Sequence, residues 1–261
     1  MTKRFDGKTA FVSGGSRGIG LAVATRLATE GADVMISGSQ QKNLDAAVAA
    51  ITKKSSGKVL AHASDLRQMA GCEAAFTAHD AAFGRCDILV HSAGATKGGV
   101  FPDQPDADFQ DGFALKFHAA VRLSRLFWPS LLASHGNVVM IVGGAARTPD
   151  HKFMVGGAVN AAFLNFTKAL SKRGLVDGVN VNSINPGMTS TDRLITIIQN
   201  NADREGISFV DAEKNTLKNI GLDRFSTPEE IAELAYFLCD PKVRHLTGTE
   251  INLDGGKKPT I

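Results

Sequence analysis

Short β-branched segments alternate along this chain with longer amphipathic segments, and this alternation constrains the fold more than any other feature. The first three strand–helix pairs are predicted at 9–13 and 18–30, at 33–37 and 40–53, and at 59–63 and 68–83. Strands that alternate with helices in this way form parallel sheets with helices on both faces. The sequence therefore predicts an α/β fold with a doubly wound parallel sheet.

The alternation continues towards the C-terminal end without a linker or an internal repeat. Further strands are predicted at 88–90, 137–142, 179–184 and 250–253, and further helices at 113–132, 156–173 and 231–239. A length of 261 residues suits one large α/β unit, so we expect residues 1–261 to form a single domain. The polar stretch 192–223 lacks the pattern, and we expect a mobile insertion there that covers a substrate pocket as a lid.

The composition is that of an ordinary globular protein. Hydrophobic residues make up 43% and charged residues 21% of the chain, and the net charge of +3 is too small to favour a nucleic-acid surface. We find neither a secretory signal nor a membrane-length apolar run. Cys72, Cys86 and Cys239 lack the spacing of metal ligands and are expected to be buried thiols. We therefore expect a cytoplasmic protein without nucleic-acid, membrane or metal partners.

A glycine-rich turn follows the first predicted strand and opens the first predicted helix. Residues 13–20 have the sequence Ser-Gly-Gly-Ser-Arg-Gly-Ile-Gly. Glycines let the backbone approach a pyrophosphate, and the helix N-terminus offers free N–H groups with a partial positive charge. A tight strand–helix turn alone uses similar residues, but this context favours a Rossmann-type dinucleotide site. The expected cofactor contacts in the turn are Gly14, Ser16, Arg17, Gly18, Ile19 and Gly20.

The end of the second strand bears on the choice of nucleotide. An acid there would pair with the ribose 2′-hydroxyl of NAD, whereas this chain has Ser37-Gly38-Ser39. No acid repels a 2′-phosphate at this place, and Arg17 is near enough along the turn to bind one. The sequence favours NADP, with Ser39 at the site, while NAD and a solvated Arg17 remain open.

Five further motifs, together with the turn, resemble the short-chain dehydrogenase/reductase family from about residue 7 to residue 256. The turn is similar to the family's Thr-Gly-x-x-x-Gly-Ile-Gly, with Ser13 in place of the threonine. The other five motifs are Asp65-Leu66, His91-Ser92-Ala93-Gly94, Asn185-Pro186-Gly187 with Thr191, 224–231 and 254–256. The resemblance implies contacts to the adenine from Asp65 and Leu66 and to the rest of the cofactor from His91, Ala93, Gly94, Pro186, Gly187 and Thr191.

The family's reaction usually depends on a Tyr-x-x-x-Lys motif, which this chain lacks. Its single tyrosine, Tyr236, is followed four residues later by Asp240. When Thr167 is aligned with the family's active-site helix, Gly156 stands at the tyrosine position and Asn160 at the lysine position. The resemblance therefore implies a cofactor site without the usual general acid and base.

Two other members of the family's catalytic set are also replaced. Gly143 stands at the serine position, and Lys116 stands at the position of the supporting asparagine. We expect the glycines at 143 and 156 to leave volume for a larger ligand or for water. Asn160 is expected to hydrogen-bond the nicotinamide ribose, although a neutral amide cannot lower the pKa of a neighbour by charge.

Three residues are candidates for the chemistry. An enclosed Lys116 ammonium acts as an acid, a base, an electrostatic clamp or a Schiff-base nucleophile, and Asn160 and His151 lie in the aligned active-site region. A solvated Lys116 and a solvated loop His151 are the alternatives. His118 lies about 200° around an ideal helix from Lys116, so we expect at most one of the two in the pocket.

Three functions follow from these observations. The first is an NAD(P)-linked oxidoreductase of a small carbonyl compound or alcohol, with a non-standard active site. The second is a nucleotide-binding protein without redox activity, and the third is a lyase or hydrolase on the same fold. The resemblance also implies a homodimer or homotetramer, and the sequence does not identify the substrate.

Overall fold

The computed structural model describes residues 3–258, and its centre is one seven-stranded parallel sheet. The strands lie in the order β3-β2-β1-β4-β5-β6-β7. Their bounds are β1 Thr9–Ser13, β2 Asp33–Gly38, β3 Val59–Ala63, β4 Ile88–His91, β5 Asn137–Ile141, β6 Asn180–Pro186 and β7 Glu250–Leu253. The strand order reverses between β1 and β4, where the carboxyl ends of the strands open a crevice that suits a ligand.

Helices cover both faces of the sheet, as the sequence predicts. They are α1 Gly18–Thr29, α2 Gln41–Thr52, α3 Met69–Phe83, α4 Asp106–Gly112, α5 Ala119–Ser134, α6 Met154–Asp177, α7 Asp192–Glu205, α8 Phe209–Ile220 and α9 Pro228–Leu238. A π-helical stretch, Phe113–His118, joins α4 to α5. The observed Rossmann-like α/β architecture confirms the predicted fold class.

Two apolar cores lie on opposite faces of the sheet because successive strand residues point to opposite sides. In β2, Val34 and Ile36 belong to the core with α1, α2 and α9, whereas Met35 belongs to the core with α3, α5 and α6. Between residues 3 and 258, no helix combines the length and the apolar character needed to cross a membrane.

The start of α9 differs from the sequence prediction. The helix begins at Pro228 rather than at 231, because Thr227 and Glu230 form a capping box. Thr227 Oγ1 accepts a hydrogen bond from the Glu230 N–H at 3.2 Å, and the Glu230 carboxylate accepts one from the Thr227 N–H at 2.8 Å. A Thr-x-x-Glu motif with proline at the first helical position is a helix-start signal, and the prediction at 231 was wrong because it overlooked that signal.

The stretch 192–223 contains two helices rather than an irregular insertion. Helices α7 and α8 share a small apolar cluster of their own, formed by Leu194, Ile198, Ala202, Ala212 and Phe225. Leu194, Ile198 and Ala202 recur every four residues, so they lie on one face of α7 despite the polar composition around them. The predicted mobility and lid role of this stretch stay predictions.

Candidate cofactor cleft and active site

The glycine turn after β1 packs directly on the loop after β4. Gly14 and Gly18 have φ angles of +69° and +55°, which favour glycine. A Cβ atom added at Gly14 would lie 2.8 Å from the backbone N of Ala93, and one added at Gly20 would lie 2.2 Å from the Gly14 carbonyl oxygen. A side chain at either position would therefore force the two loops and the start of α1 apart.

The N-terminus of α1 is suited to an anion. Arg17 is its N-cap residue, and no side chain caps the first helical N–H groups. The first turn contains no acid, so nothing there offsets the partial positive charge of the helix end. These features fit a pyrophosphate at Gly18, Ile19 and Gly20.

The loop after β6 reaches the same place. The Gly187 N–H donates to the Leu253 carbonyl at 2.9 Å, and a Cβ atom at Gly187 would lie 2.8 Å from the Asp254 Cα. This anchors the segment that begins at Pro186. At the far end of the loop, Thr191 Cγ2 lies 3.2 Å from the Cβ position of Gly18. The structure thus brings Thr191 to the opening of α1, where the family resemblance expects a cofactor contact.

The outer end of β2 lies beside the glycine turn and carries no acid. Ser16 Oγ lies 3.3 Å from the Cβ position of Gly38, so the glycine turn and the end of β2 are in contact. Arg17 and Ser39 are exposed beside them, and residues 37–40 include no acid. The Arg17 side chain makes no hydrogen bond to another described residue. A cation and two hydroxyls at this place fit the extra phosphate of NADP.

The β4 loop is held by Ser13 and by a buried histidine. Ser13 Oγ accepts hydrogen bonds from the N–H groups of Ser92 at 3.2 Å and Ala93 at 3.3 Å. His91 is buried with its Nε2 3.0 Å from Ser124 Oγ, and burial lowers its pKa to about 3. His91 is therefore neutral, and its ring packs into the core beside the cleft.

The predicted adenine pair divides between the core and the surface. The Leu66 side chain is buried in the core with α3, so any contact of Leu66 with a nucleotide would come from its backbone. Asp65 is exposed, and its Oδ1 accepts a hydrogen bond from the Arg67 N–H at 3.1 Å.

Lys116 lies in the π-helical stretch and extends to the carboxyl end of the sheet. Its side chain packs on the β4 loop, with Cδ 3.1 Å from the Cβ position of Gly94, and its Nζ donates to the Val142 carbonyl. Burial, together with the smaller effect of the nearby Arg193 charge, lowers the Lys116 pKa to about 7. Lys116 is thus an enclosed amine that changes protonation near neutral pH. Short π segments occur frequently at functional sites.

Asn160 and Gly143 also meet at this end of the sheet. Asn160 is buried, and its Nδ2 lies 2.9 Å from the Cβ position of Gly143, which has a φ of +143°. The Asn160 Oδ1 is buried without a hydrogen-bond partner among the residues that the structure describes. A buried amide oxygen normally has a partner, and the ribose hydroxyl of a bound nucleotide would supply one.

The Phe153 ring occupies the space beside Gly156. A Cβ atom at Gly156 would lie 2.0 Å from Cε1 and from Cζ of Phe153. The expectation that Gly156 leaves volume for a ligand is therefore wrong, because an aromatic ring from the preceding turn fills it. The Phe153 ring gives this side of the site an apolar wall.

The three catalytic candidates have different surroundings. Lys116 and Asn160 converge on the consecutive residues Val142 and Gly143. His151 is exposed, with Asp150 as its nearest charge at 3.7 Å, and it contacts neither Lys116 nor Asn160 through a described hydrogen bond. His118 is also exposed, as expected for a helix on which Lys116 faces inwards.

The sequence analysis overlooked Arg193, the second residue of α7. Its Nη2 donates to the Thr96 carbonyl at 3.0 Å and to Thr96 Oγ1 at 3.3 Å, and its Cζ lies 5.9 Å from the centre of the Phe153 ring. The periodic spacing of apolar residues in α7, starting at Leu194, would have revealed the helix but not the contacts of Arg193.

Tyr236 does not contribute to this site. It lies on α9, and its ring is 5.0 Å from Arg4 Cζ and 3.9 Å from Arg26 Cζ. Its ring also makes an edge contact with Phe5. The phenol therefore has a packing role away from the carboxyl ends of β4 and β5.

The chain matches a known protein family over most of its length. The family described as Enoyl-(Acyl carrier protein) reductase matches residues 14–258. The NADPH-dependent reductase BacG of Bacillus subtilis (strain 168) is 29% identical over 266 residues, which cover 100% of both chains.

Solved structures agree with this match. L-Sorbose reductase from Gluconobacter frateurii, complexed with NADPH and L-sorbose, has a TM-score of 0.94 and 29% identity over 100% of both chains. A short chain dehydrogenase from Burkholderia cenocepacia J2315, in complex with NADP, has a TM-score of 0.85 and 30% identity over 97% of this chain and 99% of that one. The sequence match and the shared fold show that this chain belongs to the short-chain dehydrogenase/reductase family.

Proposed function

We propose that this protein is an NADP(H)-dependent oxidoreductase that reduces a carbonyl group, with Lys116 as the proton donor. The observation that carries the proposal is the enclosed Lys116 ammonium beside Gly143, at the end of the sheet where the family places its catalytic groups. The similar reductases that bind NADPH or NADP support the choice of cofactor.

The residues of the cleft account for the 2′-phosphate, the pyrophosphate and the nicotinamide ribose. Arg17, Ser16 and Ser39 hold the 2′-phosphate, and the free N–H groups at the start of α1 hold the pyrophosphate. Asn160 Oδ1 accepts a hydrogen bond from the nicotinamide ribose, and Thr191 closes the cleft over Gly18. The bound cofactor supplies a hydride to the substrate carbonyl carbon.

Lys116 accounts for the proton that the reduction needs. Arrival of a hydride at the carbonyl carbon leaves negative charge on the carbonyl oxygen. The Lys116 ammonium donates one proton to that oxygen, forms the alcohol, and then regains a proton from water. A pKa of about 7 places this acid near the pH at which general acid catalysis is most effective. Before the transfer, the ammonium also stabilises the developing negative charge.

The test is reduction of aldehydes and ketones followed by loss of NADPH absorbance. Lys116→Met should lower the rate at least about 100-fold, since general acid–base help contributes that much or more. NADPH binding by the variant, measured by fluorescence titration, should be unchanged, and the exposed His151→Ala is the matched control. Full activity of Lys116→Met would refute the proposal.

A second function uses the same amine without redox chemistry. An amine with a pKa near 7 is largely uncharged at pH 8, and such a lysine forms a Schiff base with carbonyl substrates in lyases. Trapping with borohydride and mass spectrometry of the Lys116 peptide separates the two functions. A substrate adduct on Lys116, with turnover that leaves NADPH absorbance unchanged, would favour the lyase.

A further inference from the structure

Arg193 is held over the active site from two sides. Its guanidinium donates through Nη2 to Thr96 in the β4 loop and lies 5.9 Å from the Phe153 ring centre. Because Phe153 fills the space beside Gly156, this places a cation next to the wall that replaces the family's tyrosine. The described hydrogen bonds leave its Nε and Nη1 groups available for a ligand.

Arg193 and Lys116 form a pair of neighbouring cations without an anion. Partial burial lowers the pKa of Arg193, and its charge contributes to the lowered pKa of Lys116. Within residues 3–258, neither cation forms an ion pair with a carboxylate. Two of the three acids of the adjacent α4 are paired elsewhere: Asp108 with Lys97 at 3.0 Å, and Asp111 with Arg67. The third, Asp106, accepts a hydrogen bond from the Gln110 side chain.

We propose that Arg193 binds a carboxylate of the substrate, which makes the substrate class an oxo acid. Two neighbouring cations repel one another, and an anionic ligand between them relieves that repulsion. A guanidinium with free N–H groups donates charge-assisted hydrogen bonds to a carboxylate. Lys116 then faces the carbonyl oxygen while Arg193 holds the acid group. This inference rests on the proposed function because both concern the same site.

The other anion available to Arg193 is a phosphate of the cofactor. The contacts of Arg193 favour the substrate, because Thr96 and Phe153 lie on the side of Lys116. The residue that reaches the glycine turn is Thr191, two positions earlier. Arg193 therefore belongs to the substrate side of the cleft.

The test measures binding without turnover. The protein is saturated with NADP⁺, which cannot deliver a hydride, and is titrated calorimetrically with two matched pairs: 2-oxobutanoate against butan-2-one, and 2-oxooctanoate against octan-2-one. We expect the acid of at least one pair to bind about 10-fold or more tightly than its ketone, as for a charge-assisted hydrogen bond. Arg193→Gln should abolish this preference, and Arg193→Lys should retain part of it.

The control variant is Arg204→Gln, on the same helix, where the Arg204 side chain forms hydrogen bonds only to Asn201 and Glu205 among the described residues. It should keep the preference for the acid. Circular dichroism establishes that Arg193→Gln is folded. Equal binding of acid and ketone in both pairs, or a preference that survives Arg193→Gln, would overturn the inference. A loss of NADP⁺ affinity in Arg193→Gln would also overturn it, because the anion would then be the cofactor's.

These outcomes separate this inference from the proposed function. An acid preference that depends on Arg193, with no oxidation of NADPH by any carbonyl compound, would support the anion site and refute the reductase. NADPH-dependent reduction of neutral ketones that is lost in Lys116→Met, without tighter binding of acids than of ketones, would support the reductase and overturn the anion site.

Discussion

Replacement of Lys116 by methionine should change how the stability of the protein depends on pH. Methionine has a similar length and is apolar, so it removes the charge while filling most of the same volume. The Lys116 pKa falls from 10.5 to about 7 on folding, mainly because burial disfavours the ammonium. Between these two pH values, the unfolded chain therefore binds a proton that the folded chain does not.

The sign and size of the effect follow from this difference. When the unfolded state binds more protons, the free energy of unfolding rises with pH, by about 1.4 kcal/mol per pH unit for one full proton. Lys116 is only half titrated at its folded pKa, so wild-type stability should rise by about 2 kcal/mol from pH 7 to pH 9 through this group alone. Lys116→Met lacks this contribution, and its stability relative to wild type should fall by the same amount.

Urea unfolding followed by circular dichroism at pH 7, 8 and 9 measures the effect. Loss of the hydrogen bond to Val142 shifts the variant's stability equally at each pH, so only the change with pH tests the reasoning. Lys172→Met, at an exposed position of α6, controls for the loss of one positive charge. A stability difference between wild type and Lys116→Met that is constant from pH 7 to 9 would show that the ammonium is not desolvated.

Three further predictions concern the cofactor site and the fold. In fluorescence titrations, Arg17→Ala should weaken NADPH binding about 10-fold or more and leave NADH binding unchanged, because a charge-assisted contact to the 2′-phosphate is lost. An equal loss of affinity for both nucleotides would contradict this. Gly156→Ala should destabilise the protein by about 1–3 kcal/mol through overlap with the Phe153 ring. The double variant Gly156→Ala/Phe153→Leu should recover stability in urea unfolding, and a single variant that is more stable than wild type would argue against the overlap. Thr227→Ala should cost about 1 kcal/mol through loss of the α9 cap, and an unchanged urea midpoint would show that the cap does not hold the helix.

Much of the fold could be predicted because the signals are local. The runs of β1 and β3 were placed at the observed bounds. β1 is buried along its whole length, as expected for a central strand of a parallel sheet, whereas β3 lies at the sheet edge and is buried only at Val59. The helices of 192–223 were overlooked because their apolar faces are narrow and the composition around them is polar. An irregular segment was predicted at 192–223 from its polar composition. The periodic spacing of Leu194, Ile198 and Ala202 instead gives α7 an apolar face that packs as a helix.

Part of the site was predictable because its motifs are also local sequence signals. The glycine turn and Thr191 carry motifs of fixed spacing, and the structure brings them together. Lys116 was a candidate from the alignment alone, but its enclosure depends on a π-helical stretch that no sequence pattern indicated. The position of the Phe153 ring and the contacts of Arg193 are set by tertiary packing between distant segments, which the sequence does not display.

The pH dependence of carbonyl reduction tests the central claim most directly. With the most active carbonyl compound of the panel, kcat/KM for NADPH oxidation by the wild-type protein should fall about tenfold per pH unit above pH 7, as Lys116 loses its proton. Lys116→Arg keeps its charge throughout this range, so its lower activity should lack the decline. A wild-type profile that is flat from pH 6 to 9, or the same decline in Lys116→Arg, would show that another group supplies the proton.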